Sequence, residues 1–173
     1  MAKNELQTFM PPDKGVVAAP RFGNGRRGAS ILEMSVVLSI LVTTTFGMLD
    51  VGSGVFRYNV LNHAARQGAR RAIVHGTLSS VEGVWGPTTI GPVAATTTGV
   101  PIVDGSGPNS NDGIAKTLVG CDLAQTTIEV QWIDGGNNLG QRVRVTLTSP
   151  YKPFMTFLTP VTITAASTMQ ITH

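Results

Sequence analysis

The sequence predicts an α+β protein: a long N-terminal transmembrane helix that continues into an external helix packed on a small antiparallel β-sheet. Three observations lead there. From Met34 to Leu49 no residue is charged, and between Gly28 and Arg57 the only charges are Glu33 and Asp50. Val60, Ala64, Gly68 and Ala72 then recur at four-residue steps, with Leu61, Ala65, Ala69 and Ile73 beside them, which is a helical period. Near the C-terminus the period falls to two, in "TTIEVQWID", "QRVRVTLTS" and "VTITAASTMQITH".

Composition narrows the classes. The 173 residues are 42% hydrophobic and 13% charged, so neither a disordered chain nor a strongly charged nucleic-acid binder fits. The net charge of +3 sits in residues 1–28, where Lys3, Lys14, Arg21, Arg26 and Arg27 face Glu5 and Asp13. Residues 29–173 balance at zero, so no nucleic-acid partner is expected. Cys121 stands alone and cannot close an intrachain disulfide; a small hydrophobe is its ordinary role.

Gly23, Gly25 and Gly28 spell G-x-G-x-x-G. A dinucleotide loop needs a strand before those glycines and a βαβ unit around them. Here "PPDKGVVAAPRF" precedes them and an uncharged helix follows, so the nucleotide reading fails. A membrane segment fits instead. At 1.5 Å per residue, Ile31 to Phe56 spans about 39 Å, enough for a hydrocarbon core of about 30 Å. Arg26 and Arg27 directly before it place the N-terminus in the cytoplasm. Arg57, Arg66, Arg70 and Arg71 beyond it oppose that orientation, but the first cluster is inserted first. These four read as solvated charges or lipid-headgroup contacts.

Glu33 is the anomaly of the apolar stretch. A carboxylate at the centre of a membrane helix costs about 2.5–3.5 kcal/mol, less near an end. A cut after Gly28 would leave Ala29 as a free ammonium, four residues before Glu33 and on the same helix face. The positive end of the helix dipole favours the carboxylate there as well. Without a cut, Glu33 is an interfacial acid near two arginines.

These residues carry a resemblance. "RRG" followed by "ASILE" is similar to the processing site of type IV prepilins, with glycine last in the leader and glutamate fifth in the mature helix. The stretch "FGMLDVGSGVFRYNVLNHAARQGARRAIVHG" resembles the TadE/TadG-like pseudopilins of tight-adherence, or Flp-type, pili. One patch, F-G-x-x-[ED]-x-G, falls on Phe46, Gly47, Asp50 and Gly52, with aspartate in place of the commoner glutamate. A second, A-A-R-x-G-A-R, falls on Ala64, Ala65, Arg66, Gly68, Ala69 and Arg70. The resemblance runs from Arg26 to about Val74. It implies a precursor cut between Gly28 and Ala29 by a prepilin peptidase, with Gly28 presenting an extended, side-chain-free backbone to the enzyme. Glu33 would pair with the Ala29 amine and set subunit register. Membrane lipid, the peptidase and other pilins or pseudopilins are the partners implied.

The remaining elements follow in order. Residues 1–28 read as a cytoplasmic leader, 29–56 as the transmembrane helix and 57–75 as its external extension. Gly47, Gly52 and Gly54 each weaken a helix by about 1 kcal/mol relative to alanine, so a bend is expected near 52–54. The small residues Ala64, Ala65, Gly68, Ala69 and Ala72 admit a close backbone, either a neighbouring subunit's helix or this chain's own sheet. From Gly76 to Gly113, 22 of 38 residues are Gly, Ser, Thr or Pro, a loop region with short apolar pieces at Val81–Trp85, Ile90–Ala95 and Val100–Val103. Within it Asp104, Asn109 and Asp112 lack calcium-loop spacing. Residues 114–173 hold a short helix, Ile114–Val119, capped by Asn111 or Asp112 and ended by Gly120, and then the sheet. A hairpin turns at "DGGNNLG", with Ile128, Val130 and Trp132 facing Val143, Val145 and Leu147. The link Pro150–Pro160 crosses the core or touches lipid, and the last strand carries Val161, Ile163, Ala165, Met169 and Ile171. TadE-like chains are similar in this order, ending in A-x-S-x-M.

No catalytic constellation emerges. His63, His75 and His173 have no carboxylate or cysteine at ligand spacing, and no P-loop, G-x-S-x-G or H-E-x-x-H occurs. A non-enzymatic subunit is expected, with no metal, no cofactor and no small-molecule substrate, in the cytoplasmic (inner) membrane and with its C-terminal part outside. The rival readings are an uncleaved, membrane-tethered extracytoplasmic binding module and an ordinary secreted protein; the second lacks an A-x-A site after the apolar run.

Overall fold

The structure, a computed structural model, describes residues 25–79, 83–106, 113–155 and 159–172, with side chains from Gly28 onward. The leader residues 1–24, and with them Gly23, lie outside the described residues, as do Val81, Asn109, Asn111, Asp112 and His173. Residues up to Leu41 and residues from Val42 on form two compact units.

Helix α1 runs Gly25–Ala72, and a 3₁₀ turn, Ile73–His75, follows it. The order then is β1 (Ile90–Ala94), α2 (Pro101–Asp104), a 3₁₀ turn Ile114–Thr117, β2 (Thr127–Trp132), β3 (Arg142–Tyr151) and β4 (Val161–Gln170). In the first unit every residue from Gly28 to Leu41 is exposed. Ile31, Leu32, Met34, Val36, Val37, Leu38, Ile40 and Leu41 are each more than half exposed. In water each would forgo about 1.5–3 kcal/mol of burial, so this surface belongs in lipid. The helix is long and apolar enough to cross a membrane.

In the second unit the four strands stand in the order β1-β2-β3-β4, every pair antiparallel. The expected hairpin is present, with Ile128 against Leu147, Val130 against Val145 and Trp132 against Val143. All six side chains are buried, because period-two alternation sends them to one face. The helix covers that face. Leu61, Ala64, Ala65, Ala69 and Ala72 join Val143, Val145, Leu147 and Ile114 in one core. Gly68 is the point of closest approach. A Cβ there would collide with Ile114 Cδ1 and lie 3.1 Å from Val145 Cγ1. The small-residue stripe is therefore used by this chain's own sheet.

Two expectations are corrected, at Val100–Val103 and at Ile114–Val119. α1 is continuous through Gly52 and Gly54, and Gly54 faces the Tyr151 ring, whose Cε1 lies 3.8 Å from where a Cβ would stand. The piece Val100–Val103 is neither strand nor loop. Pro101 at the first position starts the short α2, and Gly105, at φ 74°, ends it. The helix expected at Ile114–Val119 is a single 3₁₀ turn, Ile114–Thr117, following Gly113 in extended backbone.

Small polar contacts close the loops. The rings of His75 and Trp85 stack 3.7 Å apart, and the Trp85 N–H donates to the His75 carbonyl at 2.8 Å. This histidine thus braces the exit of the helix. Arg142 forks onto Asp134 across the hairpin, Nη2 to Oδ1 at 2.7 Å. Its hydrogen bond holds the Asp134 carboxyl below the ordinary carboxylate range. The unfolded chain therefore binds the proton more readily. The pair's contribution is present above the unfolded value of about 3.9 and is lost as pH falls through the lowered one. An acid melting series from pH 5 to 2 should show a shallower loss for Asp134→Asn than for the wild type.

Candidate functional site

The C-terminal end of the apolar stretch of α1 meets the link that joins β3 to β4. Phe46, Asp50, Ser53, Gly54 and Arg57 recur at three- and four-residue steps, so they share one helix face. Opposite them stand Tyr151, at the end of β3, and the turn residues Phe154 and Met155.

Asp50 organises the contact. It is 5% exposed. The Phe154 N–H donates to its Oδ1 at 2.7 Å, and the Met155 N–H donates to its Oδ2 at 3.0 Å. A buried carboxylate needs such partners. Two consecutive backbone donors meet its charge, and they too would be costly to leave unpaired. The Tyr151 hydroxyl lies 2.9 Å from the Asp50 carbonyl and 2.5 Å from Ser53 Oγ, and Ser53 Oγ lies 2.9 Å from that carbonyl. One hydroxyl proton is shared between the two side chains and the other goes to the carbonyl. Arg57 sits over the Tyr151 ring, 5.1 Å from its centroid, a cation–π contact. Phe46, one turn toward the membrane, stacks on Phe154 with centroids 5.5 Å apart and planes 13° apart.

The arrangement is a mechanical clamp. It fixes the β3–β4 link to the helix where burial of the helix begins. Phe154 remains 77% exposed beside Phe46, so the clamp carries an apolar, outward-facing edge. Sequence reasoning found Phe46 and Asp50 as parts of a patch but not their partners. Tyr151, Ser53 and the amides of 154 and 155 were missed. The available signal was a lone acid in an apolar helix, with a glycine four residues on that leaves room for a ring.

The other residues of that patch are not used by the clamp. A Cβ on Gly47 or Gly52 would meet nothing within 4 Å. Gly52→Ala should therefore raise thermal stability modestly, by up to about 1 kcal/mol, through helix propensity alone; a melting curve in detergent checks it.

At the other end, Gly28, Ala29 and Glu33 are all exposed. Gly28 lies within α1 and is helical in the chain by itself. Helix growth from Ala29 across Gly28 adds one hydrogen bond per residue fixed, so the apolar helix propagates back through it. Glycine also makes the turn easy to unwind, by about 1 kcal/mol relative to alanine. Ala64, Ala65, Gly68, Ala69 and Ala72 are buried in the second unit, beginning eight residues beyond Phe56. Arg66 and Arg70 are exposed on another face. Cys121 is half-buried, and burial pushes its thiol up, away from the reactive thiolate.

No curated protein and no solved structure matches the chain. The family described as TadE-like protein matches residues 28–70, which takes in Gly28, Glu33, Phe46, Asp50 and the buried stripe. Over that segment, with its exposed apolar helix, the chain is similar to TadE-like proteins, which supports a membrane protein associated with the tight-adherence (Tad) pilus.

Proposed function

We propose that this chain is a membrane-anchored, pseudopilin-like subunit that acts in assembly of a Tad/Flp-type pilus or secretion pseudopilus after a prepilin peptidase cuts between Gly28 and Ala29. The observation that carries this reading is Glu33, an exposed acid at the start of an exposed apolar helix, four residues after Ala29. A new ammonium at Ala29 supplies the charge that makes an acid tolerable there. The subunit is not an enzyme; it is the substrate of one. Its helix lies in the cytoplasmic membrane with the N-terminus inside and the sheet outside, following Arg26 and Arg27. Its partners are the peptidase and other pilins or pseudopilins, which meet the lipid-embedded helix through Glu33.

Co-expression with the pilus system's prepilin peptidase tests the processing step. The wild-type chain should lose about 28 residues on a gel, and Gly28→Leu should stay at full length. Glu33→Ala should insert and be processed normally yet enter pili at least tenfold less often. Unchanged assembly of Glu33→Ala would remove the pairing role.

A further inference from the structure

The apolar edge of the clamp continues the exposed apolar surface of α1. One face of the Phe154 ring stacks on Phe46, and the rest of the side chain is exposed. Met48, Leu49 and Val51, on the neighbouring turn of the helix, are each more than half exposed. A helix long and apolar enough to cross a membrane presents such side chains to lipid. Phe154 adds a ring at their level, but from the β3–β4 link. Polarity then changes in order along the axis. Phe46 lies about 6 Å before Asp50 and Arg57 about 10 Å beyond it, at 1.5 Å per residue. Arg57 lies over the Tyr151 ring, the adjoining Lys152 is exposed, and so is Tyr58. Apolar rings followed by tyrosines and cations is the order met on passing from acyl chains to headgroups.

We propose that the turn at Phe154 is a second membrane contact of this chain. The ring lies beside Phe46 at the edge of the acyl layer, with Tyr151, Lys152, Arg57 and Tyr58 among the lipid headgroups. The inference rests on the membrane-anchored reading of α1, but not on cleavage at Gly28 nor on which side of the membrane the sheet lies. It places the hydrocarbon boundary near Asp50. Ile31 to Leu49 then spans about 27 Å, close to a hydrocarbon core of about 30 Å, which a span running on to Phe56 overshoots. The Phe154 and Met155 amides meet the Asp50 carboxylate at that level, as an acid at the edge of hydrocarbon requires. Lipid is the partner, not a protein, because the ring extends a surface that lipid already covers.

Spin-label depth measurements test this. The full-length chain with Cys121→Ala, in phosphatidylcholine vesicles, carries one nitroxide at a time through Phe154→Cys, Leu38→Cys in the apolar stretch or Leu139→Cys at the hairpin tip, all exposed positions. Phe154→Cys keeps the backbone N–H that Asp50 accepts. Oxygen enters acyl chains, whereas a polar nickel chelate stays in water, so the oxygen-to-nickel relaxation ratio at 154 should exceed that at 139 by at least about fivefold and approach that at 38. If 38 is lipid-like and 154 matches 139, the proposal is overturned and the anchor stands. If 38 also matches 139, the membrane-anchored reading falls and takes the proposal with it. Exclusion of both probes at 154 means that protein covers the turn, which overturns the proposal too. In the unmodified chain in the same lipid, the Phe154 ring protons should cross-relax with lipid methylenes; cross-relaxation with water instead overturns the proposal whatever the labelled variants do.

Discussion

Asp50→Ala should destabilise the second unit by about 3 kcal/mol, the value of two hydrogen bonds to a charged acceptor less what is regained by removing a buried carboxylate. The Phe154 and Met155 amides lose their acceptor, at 2.7 and 3.0 Å, and these two residues after β3 come away from the helix. Asp50→Asn keeps one carbonyl oxygen, so it should lose about half as much. Hydrogen exchange is the sharpest reading. The amides of 154 and 155 should lose protection in the variant, while those of β2 and β3, held by their own ladder, should keep it. Uniform loss across the sheet would mean that the clamp is only one more core contact. Tyr151→Phe removes a hydroxyl alone and should cost about 1 kcal/mol.

Gly68→Val should cost about 3 kcal/mol, and Gly68→Ala much less. A single Cβ meets the end of the Ile114 side chain, which can rotate, while the Val145 methyl at 3.1 Å is stiff. The gain of about 1 kcal/mol in helix propensity offsets much of that strain for alanine. Branching at Cβ adds atoms that Ile114 and Val145 cannot both evade, so overpacking dominates. Chemical denaturation of the purified protein in detergent reads both. If Gly68→Val is as stable as the wild type but fails in pilus assembly, the stripe serves a neighbouring subunit more than the sheet it covers here.

Periodicity made the architecture legible. Ile128, Val130 and Trp132 alternate with polar residues, and so do Val143, Val145 and Leu147; all six are buried where that pattern puts them. The stripe at 60–72 announced a close approach, but spacing alone does not say whose backbone approaches. Gly68 answered it through Ile114 and Val145, residues far away in the chain. The Asp50 clamp was hidden for the same reason, since its donors lie 104 and 105 residues further on. Propensity at Gly52 and Gly54 is local and says nothing of Tyr151, which packs beside Gly54 from far along the chain. α2 escaped notice because four residues have no period to read.

Intact-mass spectrometry of the protein extracted from native membranes tests the account most directly. A mature chain beginning at Ala29, with residues 1–28 gone, is the expected result. A chain still carrying its N-terminal Met1 or Ala2 would leave Glu33 without the amine that explains it and would contradict the processed-subunit reading.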